Sequence, residues 1–157
     1  MKTVALFLFL FACESQAGQN ALTYEPTKVE LTGTLDLQTF PGPPNYESIQ
    51  EGDEIERHFY LKLDAPVDVM PRGEHPTVDN PEEEKNIKVM QLAIDAEDDT
   101  LWARFRRAGK GAHVKIRGSL FRRFTGHHHS RVLLGVNEME PLKRSVCLRP
   151  GEALLTK

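Results

Sequence analysis

A mainly β chain, a five-stranded OB-fold-like Greek-key barrel with one short helix between strands three and four, is the fold this sequence predicts. Three observations predict it: five runs of alternating apolar and polar residues, one stretch of helical spacing after the third run, and a glycine inside the first and fourth runs. Alternation at every second residue buries one face of a strand, whereas apolar residues three and four apart line one face of a helix. Five strands with a helix in that gap match the OB plan, a Greek-key barrel that binds ligands beside two of its loops. The competing architecture is an open α+β sheet with the helix on one face.

Each element has its own signal. In the first strand Val29, Leu31, Gly33, Leu35 and Leu37 alternate with Glu30, Thr32, Thr34 and Asp36, the pattern of a half-buried strand. The second, over 55–63, sets Ile55, Phe59, Leu61 and Leu63 against His58, Tyr60 and Lys62, with Arg57 as an exception expected near a rim. The third, over 87–94, turns Met90, Leu92 and Ile94 inward, and Val89 breaks parity, which predicts a bulge near the start. Asp98 or Asp99 can then cap a helix in which Leu101, Phe105 and Ala108 share a face beside Trp102. Gly109 offers a left-handed stop, and Arg104, Arg106 and Arg107 suit the negative end of the helix dipole. Val114, Ile116, Gly118 and Leu120 mark the fourth strand, and Val132, Leu134 and Val136 the fifth, over 131–136. Gly33 and Gly118 fall where a strongly bent strand has no room for a Cβ.

The N-terminus reads as an address. Lys2, an apolar run over 4–12 and Ser15-Gln16-Ala17 form the charged, hydrophobic and small-residue parts of a signal peptide over 1–17, with a mature chain from Gly18. A rival reading takes Leu10-Phe11-Ala12-Cys13 as a lipobox, with a lipid anchor at Cys13. Either way the protein is expected to be periplasmic or secreted, with no transmembrane segment. Cleavage after residue 17 leaves Cys147 alone, so no intramolecular disulfide can form. The expected organisation is one OB-like domain over 18–142, carrying an acidic Pro-rich insertion over 64–86, and a tail over 143–157.

Charge is divided along the chain. Residues 18–100 hold 6 basic and 19 acidic side chains, and residues 101–157 hold 13 basic and 3 acidic ones. A basic face for an anionic partner is one reading. Mutual neutralisation of early and late strands in the folded sheet is the other, and it is favoured because a barrel interleaves them.

Two loops carry the functional signal. In an OB plan the connection between strands one and two and that between strands four and five rise beside the binding face. The first is Phe40-Pro41-Gly42-Pro43-Pro44-Asn45-Tyr46-Glu47, whose prolines stiffen it and present Phe40 and Tyr46 at small entropic cost. The second, Phe124-Thr125-Gly126-His127-His128-His129-Ser130, gathers three of the six histidines. Tyr46, Glu47, His127, His128 and His129 are therefore the expected ligand-binding residues. If the chain is already extended at 127, His127 and His129 share a side and can share a Zn or Cu ion, with His58, His75 or Glu47 as a third ligand if the fold brings one near. No zinc-finger spacing is present.

These segments also carry a resemblance. The run over 40–49, Gly52-Asp53, Glu56, Gly118-Ser119-Leu120-Phe121 and Thr125-Gly126-His127-His128-His129 together resemble an uncharacterised family of small exported bacterial proteins, of the domain-of-unknown-function type, DUF4431. The resemblance covers about residues 29–136. Ser130 stands where Thr is expected, and the segment from Arg144 has no counterpart. A family without an assigned reaction implies the fold and export, and nothing more.

The expected function is an exported, non-catalytic binding or interaction module for a small ligand or an envelope protein. Alternatives are a periplasmic metal-binding protein and an envelope structural or immunity-type partner. Catalysis lacks a motif: Ser48, Ser119 and Ser130 sit in no nucleophile elbow, and no phosphate-cradling glycine loop occurs. Nucleic acid is not expected as a partner, because the acidic early strands would repel a phosphate backbone.

Overall fold

The computed structural model describes residues 21–73 and 82–143. The segment expected to be a signal peptide, Cys13, His75, Cys147 and the tail beyond residue 143 lie outside the described residues. Among those described, the elements are β1 (Ala21–Thr23), β2 (Lys28–Pro41), β3 (Ile55–Met70), β4 (Glu84–Ala93), α1 (Asp99–Ala108), β5 (His113–Arg122) and β6 (Val132–Pro141). All six strands belong to one sheet, and α1 falls between β4 and β5 as the sequence predicts. The short β1, which sequence reading did not find, pairs in parallel with the end of β3.

Each of the five long strands pairs with two other long strands. β2 pairs antiparallel with β3 and β5, β3 with β4, β5 with β6, and β4 runs parallel to β6. β2 exchanges partners midway: Lys28 to Thr34 face β5, and Gly33 to Pro41 face β3. At the exchange a Cβ on Gly33 would run into the backbone carbonyl of Lys62. Gly118 lies at the irregular step between β5 and β6, where a Cβ would run into the carbonyl of Gly135. Both glycines mark a close approach of neighbouring backbones, which is the role their place in the sequence implies.

The core between these strands is apolar and continuous. Leu31, Leu35, Leu61, Met90, Ile116, Leu120, Leu134 and Met139 are buried in it, each worth about 1.5–3 kcal/mol of transfer free energy relative to exposure. The helix covers it with Leu101 and Phe105, and the Phe105 ring lies 5.3 Å from that of Phe59. Asp98 caps α1 by accepting from the Leu101 N–H at 2.8 Å. Gly109 has positive φ (73°) but an extended ψ (173°), so it ends the helix without the left-handed helical conformation expected of it.

Three expectations need correction. Leu37 is 37% exposed and Asp36 is buried, so the alternation of β2 fails beyond Leu35. Ile55 is 57% exposed, because it opens β3 at the rim. The insertion is shorter than 64–86, since β3 continues to Met70 and β4 begins at Glu84. Pro66 sits within that continuation, between the paired positions Lys62 and Val67 where the β3–β4 register shifts. A bulge tolerates a proline because no ladder hydrogen bond is required of it. The disturbance near the start of β4 is therefore real, but most of the extra residues belong to β3.

Part of the divided charge is paired in the fold. Lys110 and Lys62 both meet Asp36 at 2.7 Å, Arg117 and Lys115 meet Glu30, and Arg131 meets Glu84 at 2.9 Å. Lys110, Lys115, Arg117 and Arg131 from the late half thus neutralise three early carboxylates, the kind of pairing the interleaving argument predicts. Among the described residues no helix is long and apolar enough to cross a membrane.

Candidate functional site

The outward faces of β2, β3 and β4 carry Phe40, Glu56, His58, Tyr60 and Gln91. Alternation along β3 sends Phe59 and Leu61 into the core, so Glu56, His58 and Tyr60 project the other way. The connections over 42–54 and 123–131 both fold against this face.

A single carboxylate shapes the first connection. Asp53 is buried and accepts from the backbone N–H groups of Asn45, Glu47 and Ser48 at 2.8–2.9 Å. The Ser48 and Glu47 donors, with Asn45 behind them, hold its carboxyl below the usual range. Backbone pairs between Gly42 and Glu54 and between Glu54 and Pro43 close the base of the loop. Tyr46 is thereby kept at φ 61°, a left-handed conformation that is uncommon for a large side chain and persists only where its surroundings enforce it. Its ring lies over Gly126, where even a Cβ would stand only 3.3 Å from the aromatic carbons.

A buried glutamine fixes the second connection. Gln91, 2% exposed, donates from Nε2 to the His127 carbonyl at 2.7 Å and accepts from the His129 N–H at 2.6 Å. Its own N–H donates to Ser130 Oγ, and that hydroxyl donates to the Val132 carbonyl at 2.6 Å. The chain is a turn rather than a strand at His127, and β6 begins only at Val132. The expected division of the histidines holds nonetheless. His127 and His129 reach the β2–β4 face, whereas His128 turns away to Phe121 and Phe124 and accepts from the Phe124 N–H through Nδ1.

The two connections meet through a hydrogen-bonded chain. His127 Nδ1 lies 2.6 Å from Glu56 Oε1, and since a carboxylate only accepts, Nδ1 carries the proton. In the neutral ring Nε2 then accepts from the Tyr46 hydroxyl at 3.1 Å. The other oxygen of Glu56 accepts from His58 Nε2, also at 3.1 Å. Burial pushes the Glu56 carboxyl up, but the bonds from His58 and His127 outweigh it and hold the group below its ordinary range. Beside this chain the His129 ring stacks on Phe40, with centroids 3.9 Å apart and planes 3° from parallel. Burial, then the neighbouring His58, lowers the pKa of His129, which leaves a neutral imidazole near pH 7. Burial lowers that of His128 as well.

Of the residues expected from sequence, Tyr46, His127 and His129 come together. Glu47 contributes its backbone N–H to Asp53, and its side chain makes no hydrogen bond or ion pair with the cluster among the described residues, while the His128 ring packs on Phe121 and Phe124 and only borders the adjoining cleft. Of the expected metal pair, His129 rather than His127 joins a compact ligand set, made with Glu56 and His58, while His127 hydrogen-bonds the set from outside. Sequence reading assigned no role to Asp53, Gln91 or Glu56. Gln91 had a signal, a polar residue inside the apolar run Met90-Gln91-Leu92. Next to the cluster opens a cleft of about 380 Å³, lined by Glu56, His58, Gln91, Trp102, His127 and His128 among others.

A family profile described as Domain of unknown function (DUF4431) matches residues 89–140. That stretch holds Gln91, α1 and the histidine loop, and the match agrees with the resemblance drawn from sequence. No curated protein matches the chain.

Proposed function

We propose that this protein is an exported binding module on an OB-type barrel, with its ligand site where the proline-rich and histidine loops converge over β3 and β4. The pairing cycle β2–β3–β4–β6–β5 and back to β2, with a helix between the third and fourth long strands, supports the barrel reading. In that plan the two loops and the β3–β4 face are where ligands sit. The observation that carries the proposal is the Tyr46–His127–Glu56 chain, which joins both loops over a preorganised face beside the cleft. Preorganisation favours binding, because ordering costs are met before the ligand arrives.

Recognition rather than catalysis fits the placement of the hydroxyls. Ser130 is occupied by Gln91 and Val132, Ser48 points to Gln50, and neither is hydrogen-bonded to an imidazole among the described residues. Export follows from the charged, apolar and small-residue segments before Gly18.

Native mass spectrometry of untagged protein purified from its own host tests both parts. The expected result is a mature chain beginning at Gly18, or at a lipidated Cys13, that carries a bound species lost in the Tyr46→Ala, His127→Ala variant. Because His127 is exposed and Tyr46 only half-buried, that variant should lose no more than about 2 kcal/mol of the parent's stability. A bound species retained by the variant, or a chain that starts at Met1 in the cytoplasm, would overturn the corresponding part.

A further inference from the structure

We infer that Glu56, His58 and His129 form a binding site for a divalent transition metal of the Zn²⁺ class. The inference rests on reading this face as the binding site and names an ion that it holds. One oxygen and two imidazole nitrogens from these residues all lie within 4.8 Å of one another. Tetrahedral zinc with bonds of about 2.0–2.1 Å requires donor separations of about 3.3 Å, so closing on the ion takes roughly 1.5 Å at the widest pair. The donors belong to a class that such an ion accepts, two histidines and a carboxylate.

Two further features separate this cluster from a chance gathering of polar side chains. His129 Nε2 is buried and has no hydrogen-bond partner among the described residues, although an unpaired polar atom removed from water costs about 1–3 kcal/mol. That same ring is held against Phe40 and its backbone N–H is held by Gln91, so the bare nitrogen is aimed rather than free to turn. A metal ion would satisfy it. The second feature is the support around the carboxylate. His127 donates to Glu56 Oε1 and accepts from Tyr46, an arrangement that orients a ligating carboxylate from outside the coordination shell.

The same geometry predicts the exchange on binding. His58 Nε2 now donates a hydrogen bond to Glu56 Oε2. The ion would take the place of that hydrogen between the two groups, and the ring would carry its single proton on Nδ1 instead, by exchange with solvent. Three protein ligands leave a coordination position open, and Glu56 and His58 also line the 380 Å³ cleft. The open position is where water or a ligand donor atom would bind.

Untagged full-length mature protein, stripped with a chelator, is titrated with Zn²⁺ by calorimetry and with Co²⁺ by visible absorption. One equivalent should bind, with the intense d–d absorption of a low-coordinate cobalt ion. His58→Ala and His129→Ala should each weaken Zn²⁺ affinity at least about 100-fold, since even supporting residues outside the shell are worth 10–100-fold. Glu56→Gln keeps the shape of the side chain, removes the anionic ligand and covers the case in which an alanine variant fails to fold. His113→Ala, on β5 with its ring on Asp64, should bind as the parent does. No binding by the parent, or affinity unchanged in His129→Ala and Glu56→Gln, or lost equally in His113→Ala, would overturn the site. The binding-face reading is decided separately by the bound species and the Tyr46→Ala, His127→Ala variant, so the metal can fail while that reading stands.

Discussion

At the scale of single residues, two buried polar side chains do the positioning. Gln91 satisfies one carbonyl and one N–H of the histidine loop, and Asp53 gathers three N–H groups of the proline-rich loop. Gln91→Leu keeps the volume but strands the His127 carbonyl and the His129 N–H, so it should cost about 2 kcal/mol. Chemical denaturation measures that loss, and hydrogen exchange should show the His129 amide released. Unchanged stability with a protected amide would mean that the loop stands without its clamp. The residues that a sequence reader notices here are those with unusual composition, such as Tyr46 beside the prolines and the run of histidines. Asp53 and Glu56 look like ordinary members of an acidic half. Their importance comes from contacts eight residues away for Asp53 and seventy-one away for Glu56, which no local pattern encodes.

At the scale of elements, the strand patterns were legible where a strand keeps one environment throughout. The inward residues of β5 follow strict alternation to Leu120, and Val132, Leu134 and Val136 keep that register in β6, although Leu133 between them is buried as well. β2 does not, because it leaves β5 for β3 at Gly33 and bends there. Gly33→Ala would press a methyl group against the Lys62 carbonyl and should destabilise by about 1–3 kcal/mol, read as a lower denaturation midpoint at unchanged slope. Just beyond the bend, Asp36 is covered by Lys110 and Lys62, whose hydrogen bonds hold its carboxyl well below the ordinary range against the opposing effect of burial. An aspartate depressed in this way adds stability above its unfolded pKa of about 3.9 and loses it as pH falls toward the folded value. Thermal melts of Asp36→Asn should therefore run below the parent at neutral pH, with the gap narrowing as pH falls below about 3.9 and closing only as the depressed folded value is approached. A constant gap down to the most acid conditions would assign the effect to packing. The length of β3 was hidden for another reason: Asp64, Ala65 and Pro66 are poor strand formers, and only the irregular pairing with β4 lets the strand pass through them.

At the scale of the molecule, each long strand is paired on both sides, and α1 closes on the same core. No part of this arrangement can leave without exposing apolar surface elsewhere. Unfolding should therefore be one transition, with fluorescence of the single Trp102, on the helix near Phe59, and far-UV circular dichroism giving the same midpoint. A fluorescence change that precedes the loss of strand signal would show the helix detaching on its own. The lopsided charge along the chain was legible as a count, and its resolution was legible as a consequence of topology, because Glu30, Asp36 and Glu84 each find a cation from the other half.

The histidine turn touches Phe40 on β2, Glu56 and His58 on β3 and Gln91 on β4, so it lies crosswise over three adjacent strands. A long flexible polymer threading along those strands would meet this crossbar and would have to dislodge it. On the proposed reading of this face, a suitable ligand is compact, approaches from the Trp102 side, and is limited in size by the gap between crossbar and helix rather than by the length of the sheet.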